Sequence, residues 1–384
     1  MAEGALSGVT ILDFSRVLAG PYATMMLADL GATVLKIERP LTGDETRAWS
    51  PPVDATGTST YFSSVNRNKR SVAADLTDPG DLARIRELVV QADVVVENFR
   101  DGAMQRLGLG YDDVRAINPR IVYCSITGFG AGEGAALPGF DLLVQAVGGL
   151  MSITGRHPGE PTKTGVALVD VITGLHASTG ILAALFSRAS TGVGQRVEVN
   201  LLSSLLSALV NQASGYLGAG VVPGILGNAH PSIAPYEVFE TADRPLVIAV
   251  GTDAQFLTFA TALGVPHLAE DPRYARNRDR VAHRAELNEV LAPLLAAHAA
   301  EHWVAVMTDH DVPAGFINSL DEAFEFAQSL GLHPVVEIDG SPQVANPIRL
   351  SDTPVQYRSR PPLLGSTSLT SARFSPAPIQ EDAS

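Results

Sequence analysis

The sequence predicts an α/β protein, with a large Rossmann-like domain on a parallel sheet and a smaller α+β domain after it. Three observations carry that expectation. Up to Ile126, short apolar runs alternate with helical patterns, as in repeated βα units. Gly218, Gly220, Pro223 and Gly224 then interrupt the chain. Beyond them the pattern changes to a hairpin followed by helices. At 384 residues there is room for two cores, and 46% hydrophobic with 18% charged residues is the balance of an ordinary globular protein.

Taken in order, Val9–Phe14 reads as a strand, Pro21–Leu30 as a helix and Ala32–Ile37 as a second strand. Strands are expected at Ser71–Leu76, Asp93–Glu97 and Ile121–Ile126, with helices at Asp81–Gln91 and Tyr111–Ile117. Thr127-Gly-Phe-Gly130 opens a glycine-rich loop, and Pro138-Gly-Phe-Asp141 leads into a second apolar run. A long helix is expected from Leu201 to about Leu217. The hairpin strands are Tyr236–Thr241 and Leu246–Val250, followed by helices at Ala254–Leu263, Val281–His298 and Glu301–Asp309. Val335–Ile338 and Pro347–Leu350 read as strands that return to the large domain. The expected boundaries are 1–217 for the large domain, 218–226 for the linker, 227–325 for the small domain and 326–384 for the return and tail. From Ser366 the chain is rich in Ser and Pro and is expected to be loosely ordered.

Between Gly165 and Asn200 lies the stretch with the clearest chemical content. An apolar approach, Val166–Val169, delivers one carboxylate, Asp170, to the start of a helix whose other positions are mostly small. Gly174, Ala177, Ser178, Gly180, Ala183 and Ala184 would let that helix pack closely on its neighbours. Gly192 and Gly194 then turn into the strand Gln195–Asn200. Asp170 has two readings: a cap that accepts backbone N–H bonds, or a nucleophile kept ionised by the helix N-terminus. Spacing alone leaves both open.

Composition excludes several classes. The net charge of −14 argues against a nucleic-acid partner. The N-terminus lacks the basic start and apolar core of a signal peptide, and runs such as Leu201–Val210 are too short to span a bilayer. A single cysteine, Cys124, allows no internal disulfide and no cysteine zinc site, which fits a cytoplasmic location. The nine histidines show no metal-binding spacing. Dinucleotide binding needs G-x-G-x-x-G after the first strand, and the loop Ser15–Pro21 holds only Gly20.

The chain resembles the family III CoA-transferases, a family that also contains the α-methylacyl-CoA racemases. The matching motifs are Leu12-Asp13-Phe14 with Ala19-Gly20-Pro21, Lys36-Ile37-Glu38-Arg39-Pro40, Asn66–Ser71 and Val96–Arg100. Asp170 with Thr173-Gly174, Ala183-Ala184-Leu185 and Thr191–Val197 completes the pattern. This resemblance implies an interlocked homodimer and catalysis by Asp170 without a permanently bound cofactor, with acyl-CoA and a small carboxylic acid as substrates. It places CoA contacts at Leu18, Ala19, Arg39, Ala74, Asp75, Leu76, Thr77, Asn98, Phe99, Arg100, Arg106, Phe140 and Asp141. Arginines suit the phosphates of CoA, so Arg39, Arg100 and Arg106 are the expected phosphate partners. His230-Pro-Ser-Ile-Ala-Pro-Tyr236 resembles a segment of members that act on dicarboxylic acids, although a loop-stabilising histidine explains it equally well.

A racemase of the same fold and a non-catalytic CoA-ester-binding protein are the alternatives. Racemases of the family use a His before the Asp of a G-H-D motif. Here Gly139-Phe140-Asp141 puts a phenyl ring at that position, and Phe carries no proton.

Overall fold

A computed structural model describes residues 4–374. Six strands run parallel: β1 (Thr10–Asp13), β2 (Thr33–Glu38), β3 (Lys69–Ala73), β4 (Val94–Glu97), β5 (Val122–Thr127) and β6 (Arg196–Asn200). Their spatial order is β3-β2-β1-β4-β5-β6. The continuous apolar run Val94-Val95-Val96 suits a strand buried on both faces. Val94 and Val96 pack with Ala23, Leu27, Ala177 and Ile181 on one side, and Val95 packs with Ile85, Leu88 and Val89 on the other. Each such side chain contributes about 1.5–3 kcal/mol by leaving water. The order reverses between β1 and β4, which opens a crevice at the carboxyl ends of the strands.

The helix Leu168–Thr191 forms one wall of the first core through Val169, Thr173, Ala177, Ile181 and Ala184. A Cβ on Gly174 would stand 2.7 Å from the carbonyl oxygen of Ala19, so only glycine permits this approach to the helix Ala19–Asp29. The helix is long and apolar enough to cross a membrane, yet its inner face is built into the α/β core.

Several elements differ from the sequence reading. The long helix already starts at Leu168, so Asp170 lies in its first turn, and the last two residues of the apolar approach Val166–Val169 are helical. The helix expected over 201–217 breaks into Leu201–Ala208 and Val210–Ala219, where β-branched Val210 takes φ 39. The helix expected over 281–298 is interrupted at His283 into Asn277–Ala282 and Arg284–Leu295. β3 starts earlier than expected, because the Lys69 charge is paired in the interior and can occupy a strand position, and it ends at Ala73. Residues 347–350 form no strand. Val335–Ile338 instead pairs antiparallel with Ser341–Val344.

The described part of the tail is packed. Thr367 N–H donates to the Ser71 carbonyl, Ala372 is fully buried, and Arg84 donates to the Leu369 and Ala372 carbonyls. The rest of the expected loose tail lies outside the described residues.

The chain divides into two units. Among the described residues, the first holds 4–150, Thr164–Val221 and 333–374; the second holds Met151–Lys163 and Val222–Leu332. The second unit therefore takes a segment before the long helix and extends past the expected boundary at 325. It contains the antiparallel sheet β7 (Tyr236–Phe239), β8 (Leu246–Ala249) and β9 (Ala314–Phe316). Phe256, Phe259, Leu287, Leu291 and Trp303 pack in its core.

Candidate active site

Past β1 the chain must turn sharply to begin the helix Ala19–Asp29, and buried charge fixes that turn. Asp13 accepts from Ser15 N–H at 2.9 Å and from the Thr24 hydroxyl at 2.6 Å. The Lys36 ammonium donates to the Ser15 carbonyl at 2.7 Å and pairs with Asp44 at 2.9 Å, with both side chains fully buried. Asp44 in turn accepts from Val17 N–H at 3.2 Å. Val17 sits at φ 69, a conformation that β-branched residues avoid and that this surrounding network imposes. Burial alone would lower the Lys36 ammonium, but Asp44, Asp13 and Glu38 lift it above its ordinary value. Burial, only partly offset by Asp13, pushes Lys69 down to about 8.

A cavity of about 370 Å³ opens where β1, β4 and β5 end. Its walls include Arg16–Ala19, Asn98–Asp101, Thr127–Gly130, Pro138–Phe140, Glu45, Trp49 and Asp170. Gly128 and Gly139 close one wall by direct backbone approach: a Cβ on either would lie 2.5 Å from the Cα of the other.

Asp170 presents a carboxylate to this cavity, and among the described residues nothing hydrogen-bonds to it. The capping work belongs to Asp141, whose Oδ1 accepts from Val169 N–H at 2.8 Å and Asp170 N–H at 3.2 Å. Asp141 Oδ2 accepts from Gln145 at 2.6 Å, so that carboxylate is fully engaged. Burial, then the Asp141 charge, push the Asp170 carboxyl up to about 7. Loss of water and a like charge thus oppose the ionisation that a helix N-terminus favours. The same surroundings, burial first and then Asp170 and Asp141, push the Tyr61 hydroxyl up to about 12. Tyr61 meets Trp49 edge-on at 5.0 Å between ring centroids.

Of the expected site residues, Leu18, Ala19, Asn98, Phe99, Arg100, Phe140 and Asp170 line this cavity. Arg39, Ala74, Asp75, Leu76, Thr77, Arg106 and Asp141 do not. Arg39 is exposed and pairs with Glu45 at 2.7 Å. Ala74–Thr77 follow β3 at the sheet edge, with Asp75 turned onto Thr77 N–H and hydroxyl. Arg106 ends the short helix Ala103–Arg106. The Asn98 side chain is spent on the Arg16 backbone, accepting from its N–H at 2.9 Å and donating to its carbonyl at 2.7 Å. Two basic residues in the Asn66–Ser71 motif are neither solvated nor free for a ligand. Arg67 is buried against Asp29 at 2.7 Å, and Lys69 against Asp13 at 3.3 Å. His230 Nδ1 accepts from Ser232 N–H at 3.1 Å, and its ring lies 5.2 Å from that of Tyr236, so in the second unit it orders its own loop.

Arg16, Glu45, Trp49 and Tyr61 escaped the sequence reading. Arg16 lay inside the matched β1 loop and was readable as a cation beside a turn. Glu45 directly follows Asp44, whose buried pairing with Lys36 no local pattern reveals, and Trp49 and Tyr61 meet only in the folded chain. Among the described residues no three His, Cys, Asp or Glu side chains gather as metal ligands.

A parallel sheet, a switch-point cavity and a carboxylate free of structural work are features of an α/β enzyme that takes its ligand at the carboxyl ends of the strands. The family model of CoA-transferase family III matches residues 6–368, and the chain belongs to that family. It is 44% identical to a succinate–glutarate CoA-transferase of Agrobacterium fabrum, over 94% of this chain and 93% of the relative. It is 38% identical to an acetyl-CoA:oxalate CoA-transferase of Acetobacter aceti, over 94% and 93%. A crystal structure of a CaiB/BaiF family protein from Brucella suis superposes with a TM-score of 0.85 at 41% identity, covering 94% of this chain and 97% of that one.

Proposed function

We propose that this enzyme moves CoA from an acyl-CoA donor to a dicarboxylic acid through covalent intermediates on Asp170. The observation that carries this reading is the Asp170 carboxylate itself: it faces the cavity without a hydrogen-bond partner, because Asp141 caps the helix in its place. A carboxylate relieved of structural work, short of water and poised near neutrality is suited to attack a thioester carbonyl. Attack expels the CoA thiolate and leaves an acyl–aspartyl anhydride. The thiolate then attacks the aspartyl carbonyl, releasing the donor acid and leaving an aspartyl–CoA thioester. The acceptor carboxylate displaces the thiolate to form a second anhydride, and the thiolate takes the acyl group and frees Asp170. Thioester energy is kept throughout, provided water stays out.

In this reading Leu18, Ala19, Phe99, Arg100 and Phe140 hold the acyl-CoA in the cavity. Arg39, Ala74–Thr77 and Arg106 lie outside it and serve the nucleotide end. The enzyme works as a cytoplasmic homodimer. Phe186, Leu206, Val210 and Leu217 are exposed apolar side chains of the first unit that association would cover. The dicarboxylate preference rests on the relatives named for succinate, glutarate and oxalate. A screen of succinyl-CoA against glutarate, oxalate and mesaconate tests it. Transfer to at least one of them is expected, and thioester hydrolysis without transfer to any would refute it.

A further inference from the structure

Glu45 is the one acid in the cavity wall besides Asp170 and Asp101, and it is placed between two arginines. Its Oε1 accepts from Arg16 Nη1 at 2.5 Å and from Arg39 Nη2 at 2.7 Å. The arrangement is incompletely satisfied: Glu45 Oε2 and Arg16 Nε are both buried and have no hydrogen-bond partner among the described residues. A buried charged group with an unmet oxygen costs free energy that an alternative position in water would recover.

Arg16 and the backbone beneath Glu45 are held by contacts that do not involve the Glu45 side chain. Arg16 is clamped through its backbone by Asn98, and its guanidinium lies over the Phe99 ring at 4.7 Å. The backbone under Glu45 is pinned by Asp44, which accepts from Thr46 N–H at 3.0 Å and pairs with buried Lys36. The Glu45 side chain itself remains 37% exposed, and Arg39 beyond it 58%. A clamped guanidinium and a largely exposed one are thus bridged by a single, partly exposed carboxylate.

We propose that Arg16 and Arg39 together bind a phosphate group of CoA, and that Glu45 is the internal anion which this phosphate displaces. The proposal rests on the CoA-transferase reading and adds Arg16 to the residues that hold the substrate. A phosphate offers three acceptor oxygens where the carboxylate offers one to this pair, and planar guanidinium groups match phosphate geometry. In a chain of net charge −14, an acid at this spot also keeps two arginines from repelling each other before substrate arrives.

The test is calorimetric titration of CoA into the full-length protein and its Glu45→Gln, Glu45→Asp and Glu45→Ala variants. Removing or shortening the competing carboxylate should tighten CoA binding, by about tenfold for Glu45→Gln. The dependence of affinity on salt should also steepen, because an internal ion pair no longer has to be given up. Placing Glu45→Gln in an Arg16→Ala or Arg39→Ala background should cancel the gain. Repeating the titration with 3′-dephospho-CoA separates the sources: a lost gain assigns the 3′-phosphate, and a retained gain assigns the pyrophosphate. Unchanged or weaker CoA binding by folded Glu45→Gln and Glu45→Asp overturns the proposal, as does a gain that survives loss of both arginines. Failure of the unmodified protein to bind CoA would instead overturn the underlying transferase reading.

Discussion

Replacing Asp170 by Asn should abolish transfer and, at neutral pH, make the protein more stable. The carboxyl titrates at about 7 in the folded chain and near 3.8 when unfolded. Because the folded value is the higher one, the native state binds more protons than the unfolded state between these limits. The contribution of Asp170 to stability is therefore greatest below pH 4, falls as pH rises from about 4 to about 7, and stays at its lower level above that. Asn never ionises and escapes this loss. A shift of about three units corresponds to a ceiling of about 4 kcal/mol at 1.36 kcal/mol per unit. Asp170 is partly exposed to the cavity, and screening there reduces the expected gain to ~1–2 kcal/mol. For a unit of this size that is a rise in Tm of about 2–8 °C at pH 8, shrinking to nothing near pH 4. Thermal melts of both proteins from pH 4.5 to 8.5 read it directly. An Asn variant that melts at or below the unmodified protein at pH 8 would refute the picture of a desolvated, costly carboxylate, as would a difference independent of pH.

Other consequences follow from the same geometry. Asp44→Ala would leave Lys36 buried without its nearest counter-charge and release Val17, so a loss of about 3–5 kcal/mol is expected in urea unfolding; a loss below 1 kcal/mol would show that pair to be dispensable. Asp141→Asn removes the like charge beside Asp170 and should move the acid limb of the kcat/KM profile to lower pH, whereas an unmoved limb would assign that limb to another group. In heavy water without an acceptor acid, a 2-methylacyl-CoA should keep its α-proton, since Phe140 cannot exchange it; deuterium uptake by the unmodified protein would favour the racemase alternative.

The sheet was legible because its strands are short apolar runs between helical patterns, and Val94–Val96 needs no other context to read as a buried strand. Asp170 was legible as a single carboxylate opening a small-residue helix, but its job was not. Which acid caps that helix depends on Asp141, 29 residues earlier in the chain, and only the packed loop shows Asp141 taking the Val169 and Asp170 N–H groups. The basic Asn66–Ser71 motif hides its partners for a similar reason. Arg67 and Lys69 look like solvent-facing or ligand-binding charges in sequence, yet Asp29 and Asp13 bury them. Conversely, Glu45 carries no pattern of its own, and it pairs with Arg16 only when the turn after β1 meets the loop after β2. Interruptions such as Val210 and His283 were invisible because apolar periodicity continues across them while the backbone does not.

The central claim is that Asp170 becomes covalently modified during transfer. Incubation with succinyl-CoA in the absence of an acceptor, rapid acid quench and peptide mass spectrometry tests it most directly. The account predicts an acyl or CoA addition on the peptide at Asp170, lost when an acceptor acid is added and absent from Asp170→Asn. Full transfer activity with Asp170 unmodified at every time point, or retained in the Asn variant, would contradict it.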